Sequence, residues 1–266
     1  MSVHTASLRG ERAQNEDKHN VILNLNNKNK NMKNIDFLGI YDGHGGKFVS
    51  KFLSNELPQI FTDKRVEYPL HKGYINKMYT FLQDVLYKKY SIYSTNTGSA
   101  ALVVSISNEN NNNYINVINL GDSRCVLCRN NLAIPLTKDH KPNWPEEHNR
   151  IKKLGGNITF DNFDWRIKDL SVSRAFGDLD ASPYISCLPD IFKYKVSNDD
   201  KFIILGCDGL WDVISSQDAV NFILDQSYNM ENGSRINIDT NSAKLLAQYA
   251  IKKGSHDNVT IIIKYF

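Results

Sequence analysis

The sequence IDFLGIYDGHGG, residues 35–46, joins an apolar strand to a turn that carries three glycines, Asp42 and His44. Glycine costs backbone entropy, so a strand end this rich in glycine needs a reason. A tight turn is one such reason, and it would leave Asp42 and His44 without a role. The other reason is that glycine clears the backbone, so that an ion or a phosphate can approach those two side chains.

The composition is that of an ordinary globular chain. Its 266 residues are 41% hydrophobic and 23% charged, and they carry a net charge of +3. This length suits one large domain, and because no repeat or long linker divides it we predict a single domain over residues 1–266. The small net charge does not favour a nucleic-acid partner. No apolar run approaches the roughly 20 residues that cross a bilayer, so no membrane partner is expected either.

The N-terminus and the cysteines bear on where the protein acts. Residues 1–10 lack the apolar stretch of a signal peptide, and the four cysteines are expected to be reduced thiols. Cys125 and Cys128 form a C-x-x-C pair, but residues three apart on a predicted strand point to opposite faces, so one zinc ion could not easily use both. We therefore expect the protein to lie inside the cell, in the cytoplasm or the nucleus. We also expect it to be a monomer.

Apolar periodicity predicts a chain of alternating strands and helices. The predicted strands are residues 21–26, 35–41, 99–107, 114–121, 125–130, 202–207 and 259–266. The predicted helices are residues 46–57 and 73–90, one from Pro145 to Gly155, one starting at Ser215, and one from Asn241 to Gly254. The polar segments 24–34, 108–114 and 225–241 are predicted as surface loops. Taken alone, this alternation favours a parallel α/β sheet.

Carboxylates stand at the ends of most predicted strands: Asp42, Asp122, Asp208, Asp212, Asp257 and the pair Glu16 and Asp17. A single aspartate beside a glycine is more often a turn or a cap than a ligand. If the strand ends converge, however, the carboxylates repel one another unless cations lie between them. Oxygen ligands alone suit Mg²⁺ or Mn²⁺, and two such ions can activate a water for attack on a phosphate ester.

Two further side chains suit that chemistry. Arg12 could bind phosphoryl oxygens in a fork, and His44 titrates in the range that suits protonation of a leaving alcohol. Together these residues favour a metal-dependent hydrolase. Spacing along the chain leaves open whether the strand ends meet.

Nine short segments occur in a fixed order: RAQNED (12–17), YDGHGG (41–46), GSAA (98–101), NLGDSR (119–124), LTKDHKP (136–142), EEHNRI (146–151), LSVSRAFGD (170–178), CDGLWDV (207–213) and SHDNVT (255–260). Together they resemble the metal-dependent, type 2C protein serine/threonine phosphatases. The resemblance implies an α+β fold, a four-layer α-β-β-α sandwich of two antiparallel sheets packed face to face with helices on both outer sides. This expectation replaces the parallel sheet, because topology is hard to read from pattern alone.

The resemblance also implies ten site residues and two Mg²⁺ or Mn²⁺ ions, with a third ion in some members. Asp42 would bridge both ions, and the carbonyl of Gly43 would complete the coordination of one of them. Asp208 and Asp257 would hold the first ion, Glu16 and Asp17 would bind the second ion or its waters, and Asp122 and Asp212 would bind the third. Arg12 would bind the phosphate, and His44 would be the general acid. The implied reaction is hydrolysis of phosphoserine and phosphothreonine in phosphoprotein substrates by a metal-bridged water.

Other residues of these motifs are expected to be structural first: Asp139, His140, Lys141, Glu147, Arg150, Arg174 and Asp178. A variable flap is expected near residues 156–169, where Phe163 and Trp165 could contact substrate or simply pack. Ala100, Ser171 and Gly206 depart from the residues usual in the family, but none of them is a proposed ligand.

Three alternatives stand beside this reading. Cys207 could be the nucleophile of a cysteine phosphatase, but no phosphate loop ending in arginine follows it. A catalytically silent binding module would not need the intact ligand set that the sequence retains. A metal-dependent nuclease or small-molecule phosphatase is the third, and the absence of a basic aromatic groove disfavours the nuclease.

Overall fold

The computed structural model describes residues 2–26, 34–63, 65–68, 70–161, 164–229, 231, 233–237 and 239–266. Its strands are β1 Val3–Leu8, β2 Lys18–Leu25, β3 Ile35–Tyr41, β4 Gly43–His44, β5 Gly98–Ser99, β6 Ala101–Glu109, β7 Asn112–Leu120, β8 Arg124–Arg129, β9 Leu132–Pro135, β10 Ile158–Asp161, β11 Asp164–Ile167, β12 Phe176–Gly177, β13 Asp190–Lys195, β14 Asp200–Gly206 and β15 Val259–Tyr265. Its helices are α1 Phe48–Ile60, α2 Lys72–Ser94, α3 Pro145–Lys153, α4 Asp208–Trp211, α5 Ser216–Ser227 and α6 Ser242–Lys252, with a 3₁₀ turn at Leu179–Ala181. No helix in these ranges is both long enough and apolar enough to cross a membrane.

Two five-stranded sheets form the centre of the molecule. The first has the strand order β1-β15-β14-β8-β9 and the second β13-β7-β6-β3-β2, and every pairing in both is antiparallel. The expectation of antiparallel sheets is therefore confirmed, and the parallel sheet that periodicity alone favoured is wrong. A strand that is covered on both faces is a continuous apolar run in a parallel or an antiparallel sheet. The composition of these strands therefore could not distinguish the two kinds of sheet.

Three apolar clusters show how the layers stack. One contains Leu38 and Val104 of the second sheet together with Leu127 and Ile203 of the first, so the two sheets share a core. A second cluster joins the opposite face of the first sheet to α5 and α6. A third joins the opposite face of the second sheet to α1 and α2. This arrangement is consistent with the predicted four-layer sandwich.

Three strands of the two large sheets were not predicted, and all three are edge strands. β1 and β9 flank the first sheet, and β13 flanks the second. These strands are short or rich in polar residues, with the sequences VHTASL, LAIP and DIFKYK, so they lack the long apolar run that marked the inner strands. The two-residue strands β4 and β12 and the hairpin strands β10 and β11 were not predicted either.

Two of the predicted loops are also wrong in part. In 108–114 the strands β6 and β7 continue to a two-residue turn at Asn110 and Asn111, both of which have positive φ. Helix α5 runs to Ser227, inside the predicted loop 225–241. Most of the third predicted loop, 24–34, lies outside the described residues.

The C-x-x-C pair divides between two cores. Cys125 lies in the core between the sheets, whereas Cys128 lies in the core under α5 and α6. Both are free thiols. One metal ion therefore cannot use both sulfur atoms, as the strand geometry predicted.

A buried ion pair links the two sheets. Lys264 of β15 is almost fully buried, with 2% of its side chain exposed, and its Nζ donates to Oδ2 of Asp36 in β3 at 2.8 Å. The pair therefore ties a central strand of the first sheet to the second sheet.

Candidate active site

A pocket of about 600 Å³ opens at the ends of strands from both large sheets. Its walls include Arg12, Glu16, Asp42, Gly43, His44, Asp122, Asp208 and Asp257. Among the predicted site residues, Asp17 and Asp212 do not line it. Asp42 follows β3 of the second sheet, while Asp208 follows β14 and Asp257 precedes β15 in the first. The strand ends therefore meet because the two sheets are packed face to face.

Gly43 allows the end of β3 to lie against residue 16. A Cβ at position 43 would stand 2.6 Å from the carbonyl oxygen of Glu16 and 2.9 Å from Oγ of Ser50, closer than atoms can approach. The Oγ of Ser50 donates to that same carbonyl of Glu16. The glycine of the opening motif thus serves a close approach of two chain segments beside the carboxylates.

The negative charges of these carboxylates repel one another. Burial, and then the charges of Asp208 and Asp17, raise the pKa of Asp42 well above its usual range. Burial and neighbouring carboxylates do the same to the pKa of Asp208. Burial also raises the pKa of Asp17 to about 6, although the nearby polar groups of Thr260 and Cys207 offset part of this effect.

Three of these carboxylate oxygens are buried and unpaired within the described part of the chain. Oδ2 of Asp42 and both carboxylate oxygens of Asp17 are buried without a hydrogen-bond partner among the described residues. Buried carboxylates that lack partners are costly unless a cation neutralises them. The donor set is made of oxygen atoms, so it fits a hard divalent cation such as Mg²⁺ or Mn²⁺.

Stability of the metal-free protein should depend on these pKa values. A carboxyl whose folded pKa lies above its unfolded value stabilises the fold at low pH and loses that contribution as the pH rises through the folded pKa. For Asp17, with an unfolded value near 3.8 and a folded value of about 6, the free energy of unfolding should rise by about 1 kcal/mol between about pH 7 and pH 5.

Urea unfolding of chelator-treated protein at both pH values measures this gain, with Asp17→Asn as the comparison. The variant should lose the part of the gain that comes from Asp17, about 1 kcal/mol, while Asp42 and Asp208, whose pKa values are also raised, and His19, whose pKa burial lowers, contribute in both proteins. An equal pH response in the two proteins would contradict the assignment to Asp17.

Cys207 lies close to the carboxylates, in surroundings that do not suit a nucleophile. Its sulfur is within 4.8 Å of carboxylate oxygens of Asp42 and Asp208, and the residue is fully buried. Burial and the charges of Asp17 and Asp42 raise the pKa of the Cys207 thiol well above its usual range. The backbone N–H of Thr260 donates to the sulfur at 3.1 Å. A thiol held protonated in this way is a poor nucleophile.

His44 is held by Asp178, a partner that the sequence did not reveal. The small sheet β12-β5-β4 places residue 44 opposite Gly98, and Gly98 opposite Gly177, the neighbour of Asp178. Nε2 of His44 lies 2.8 Å from Oδ2 of Asp178. Although burial lowers the pKa of His44, the hydrogen bond and the charge of Asp178 raise it overall.

Gly98 makes that contact possible. A Cβ at position 98 would lie 2.1 Å from Oδ2 of Asp178 and 2.4 Å from Nε2 of His44. The one signal in the sequence is the Gly177-Asp178 dipeptide after an apolar segment, where Asp178 is expected to be structural first. The structure places its carboxylate within hydrogen-bond distance of Nε2 of His44.

The pair predicted for a third ion is engaged with a lysine. Nζ of Lys141 donates to Oδ2 of Asp122, and this partner raises the pKa of Lys141 even though burial acts against its charge. Asp212 stands outside the pocket lining, and burial, together with the charge of Asp122, raises its pKa. A positive charge belonging to the chain thus already faces these carboxylates.

Arg12 is paired with one of the carboxylates. Its Nη2 donates to Oδ2 of Asp257 at 2.6 Å, and 62% of the Arg12 side chain is exposed. An exposed guanidinium can exchange this partner for a phosphate at little cost, because exposed ion pairs are weak.

A buried charge network fixes the segment that follows the flap. Glu147 of α3 accepts from Arg150 at 2.8 Å and from Arg174 at 2.6 Å. The two arginines lower the pKa of Glu147 to about 2, although burial alone would raise it. Arg174 also donates to Asp190 of β13. These contacts tie α3 to β13 and to the segment that follows pocket residues 169–172.

The predicted flap region contains the hairpin β10–β11. Trp165 packs against Phe160 with ring centroids 5.3 Å apart, and it does not line the pocket. Phe163 lies outside the described residues. Residues 169–172, just beyond the hairpin, do line the pocket together with Arg166.

The chain is similar to a known protein family over almost its whole length. The chain matches the family model "Protein phosphatase 2C" over residues 1–259. The chain belongs to the protein phosphatase 2C family. The resemblance read from its motifs is thereby confirmed.

Individual relatives cover much of the chain. A PP2C-like domain-containing protein of Acanthamoeba polyphaga mimivirus is 48% identical over an alignment of 176 positions, which covers 60% of this chain and 98% of that protein. Protein phosphatase 1L of Bos taurus is 31% identical over 278 residues, covering 100% of this chain and 72% of that protein. The crystal structure of serine-threonine phosphatase 2C from Toxoplasma gondii superposes with a TM-score of 0.82 at 23% identity, over 99% of this chain and 94% of that one. That structure supports the protein phosphatase 2C fold.

Proposed function

We propose that this protein is a metal-dependent protein serine/threonine phosphatase that hydrolyses phosphoserine and phosphothreonine in phosphoprotein substrates. The observation that carries the proposal is the convergence of Asp42, Asp208 and Asp257 from two sheets, beside buried oxygens of Asp42 and Asp17 that have no hydrogen-bond partner among the described residues. Arg12 and His44 line the same pocket, as a phosphoryl-transfer site requires. Membership in the protein phosphatase 2C family supports the same reaction.

The residues that would hold two Mg²⁺ or Mn²⁺ ions are Asp42, Gly43 through its carbonyl, Asp208, Asp257, Glu16 and Asp17. When bound, such ions activate water and neutralise the charge of a phosphate ester. Arg12 would leave Asp257 and bind two phosphoryl oxygens, which fixes the phosphate for in-line attack. Asp42 and Asp208, kept apart by the ions, would remain ionised at neutral pH.

His44 would supply the proton for the leaving alcohol. Its Nε2 is occupied by Asp178, so Nδ1 is the ring nitrogen free to donate. The carboxylate of Asp178 would stabilise the imidazolium and hold the ring in place.

Substrates with poor leaving groups should therefore depend on His44 and Asp178 more than aryl phosphates do. For His44→Ala we expect the rate on a phosphothreonine peptide to fall by about 100-fold and the rate on an aryl phosphate to fall much less, because a phenolate leaves without protonation. Asp178→Asn should show the same pattern to a smaller degree. Asn also tolerates the positive φ of 47° that residue 178 adopts.

Steady-state kinetics on both substrates, with Asp180→Asn as the neighbouring control, test this assignment. Asp180 is exposed and pairs with Lys168 on the surface. Equal losses on the two substrates would remove His44 from the role of general acid.

A third ion at Asp122 and Asp212 stays a prediction. The ammonium of Lys141 donates to Asp122, so a third cation would have to displace it. Monomeric state, the absence of nucleic-acid and membrane partners, a location in the cytoplasm or nucleus, and a single domain with a flap near residues 156–169 also stay predictions.

The proposed function is tested by hydrolysis of a phosphothreonine peptide and an aryl phosphate with Mn²⁺ and then with excess chelator. We expect turnover of both substrates with Mn²⁺ and its loss with chelator. Turnover should persist in Cys207→Ser, because the buried thiol takes no part in the reaction. Activity that survives the chelator, or that Cys207→Ser abolishes in a folded protein, would overturn the proposal.

A further inference from the structure

The flap hairpin contributes one charged side chain to the pocket. In the β10–β11 register Ile158 faces Ile167 and Phe160 faces Trp165, so these side chains share one face of the hairpin. Ile158 and Ile167 pack with Ile151 in a small apolar cluster. Arg166, which alternates with them, lies on the other face and lines the pocket.

Arg166 forms no ion pair with the residues that the structure describes. Its Nη1 donates to the backbone carbonyl of Asp169 at 2.6 Å, and no carboxylate of the described residues lies within ion-pair distance of it. Its Nε is buried without a hydrogen-bond partner in the same part of the chain. By contrast, Arg12, Arg124 and Arg174 each contact a carboxylate. A guanidinium group that lines a pocket and has no carboxylate partner can bind an anionic group of a ligand.

The pocket has room for more than the reacting phosphate. Its volume of about 600 Å³ lies in the range of sites that enclose a whole small ligand, from roughly 300 to 1,000 Å³. Arg12, which suits the reacting phosphoryl group, lies on the N-terminal segment, whereas Arg166 lies on the flap hairpin. The two guanidinium groups therefore bring positive charge to the pocket from two different segments of the chain.

We propose that Arg166 binds a second negative charge on the substrate, carried by an acidic or phosphorylated residue next to the phosphoserine or phosphothreonine that is hydrolysed. This inference rests on the proposed function and narrows its substrate class to acidic or multiply phosphorylated segments. Carboxylate and phosphate both match the fork of a guanidinium, and phosphate carries the greater charge.

The test compares phosphothreonine peptides that differ only in the residues flanking the phosphothreonine: alanine, aspartate, phosphoserine or lysine. Wild-type protein should prefer the anionic flanks by about tenfold in kcat/KM, mainly through KM. In Arg166→Gln this ratio of anionic to neutral peptide should fall close to one, and in Arg166→Glu the lysine-flanked peptide should become the better substrate. The aspartate and phosphoserine peptides show which anion is preferred.

Lys168→Gln is the matched control. It removes one positive charge next to the hairpin, but Lys168 does not line the pocket and pairs with Asp180. This variant should keep the wild-type ratio. A preference that survives in Arg166→Gln, or that Lys168→Gln removes equally, would overturn the inference. So would an equal loss on the aryl phosphate and all four peptides, because it would place Arg166 on the reacting phosphate.

Binding separates this inference from the proposed function. Fluorescence anisotropy with phosphonate analogues of the same peptides needs no turnover. Weaker binding of the anionic analogues to Arg166→Gln than to wild-type protein supports the inference, and equal binding overturns it. Failure of wild-type protein to hydrolyse any of the substrates would count against the proposed function alone.

Discussion

Asp42→Asn is expected to lower kcat/KM for a phosphothreonine peptide by about a thousandfold or more, because the neutral amide removes the one carboxylate that would bind both ions. The same change should stabilise the metal-free protein. Burial and the charges of Asp208 and Asp17 raise the pKa of Asp42, so removing its charge relieves repulsion within the cluster. Loss of activity joined to a gain of stability is the signature of a site residue.

Thermal unfolding of metal-free protein, measured beside the kinetics, separates this outcome from simple misfolding. The control is Asp84→Asn, which removes an exposed carboxylate that pairs with Lys88 on the surface of α2. The control should change neither the rate nor the unfolding midpoint appreciably. An Asp42→Asn protein that keeps the wild-type rate, or that loses activity because it unfolds, would contradict the assignment.

Asp36→Ala should lower the free energy of unfolding by about 3–5 kcal/mol, because it leaves the buried ammonium of Lys264 unpaired between the two sheets. The double variant Asp36→Ala, Lys264→Met should recover most of that loss, since it removes both charges and keeps the apolar stem. Urea unfolding of the two proteins measures the difference.

The exposed pair again supplies the control. Asp84→Ala should cost less than about 1 kcal/mol, as is usual for exposed ion pairs. If Asp36→Ala cost no more than that control, or if the double variant were as unstable as Asp36→Ala, the pair would not be the link between the sheets that the fold indicates.

The cluster of carboxylates that lines the pocket was the most predictable part of the molecule. Asp42, Asp208 and Asp257 stand at the ends of strongly apolar strands, and the motifs around them are local in sequence. What spacing could not show was that these ends meet, because Asp42 follows a strand of the second sheet whereas Asp208 and Asp257 adjoin strands of the first. Their convergence depends on how two sheets pack, which no single segment encodes.

Contacts between distant segments were harder to foresee. Asp178 reaches His44 across 134 positions, through the two-residue strands of a small sheet that no periodicity reveals. Lys264 lies inside an apolar strand, and nothing in that strand indicates a carboxylate on the opposite sheet. Arg166 sits in the segment predicted as a variable flap, so its place in the pocket wall became visible only once the hairpin register was known.

Calorimetric titration of metal-free protein with Mn²⁺ tests most directly whether carboxylates from the two sheets form the proposed two-ion centre. We expect about two ions per chain for wild-type protein, loss of both in Asp42→Asn, and loss of one in Asp208→Asn. Asp84→Asn should bind as wild-type protein does. Equal binding by wild-type protein and Asp42→Asn, or no binding by the wild-type protein, would contradict the account.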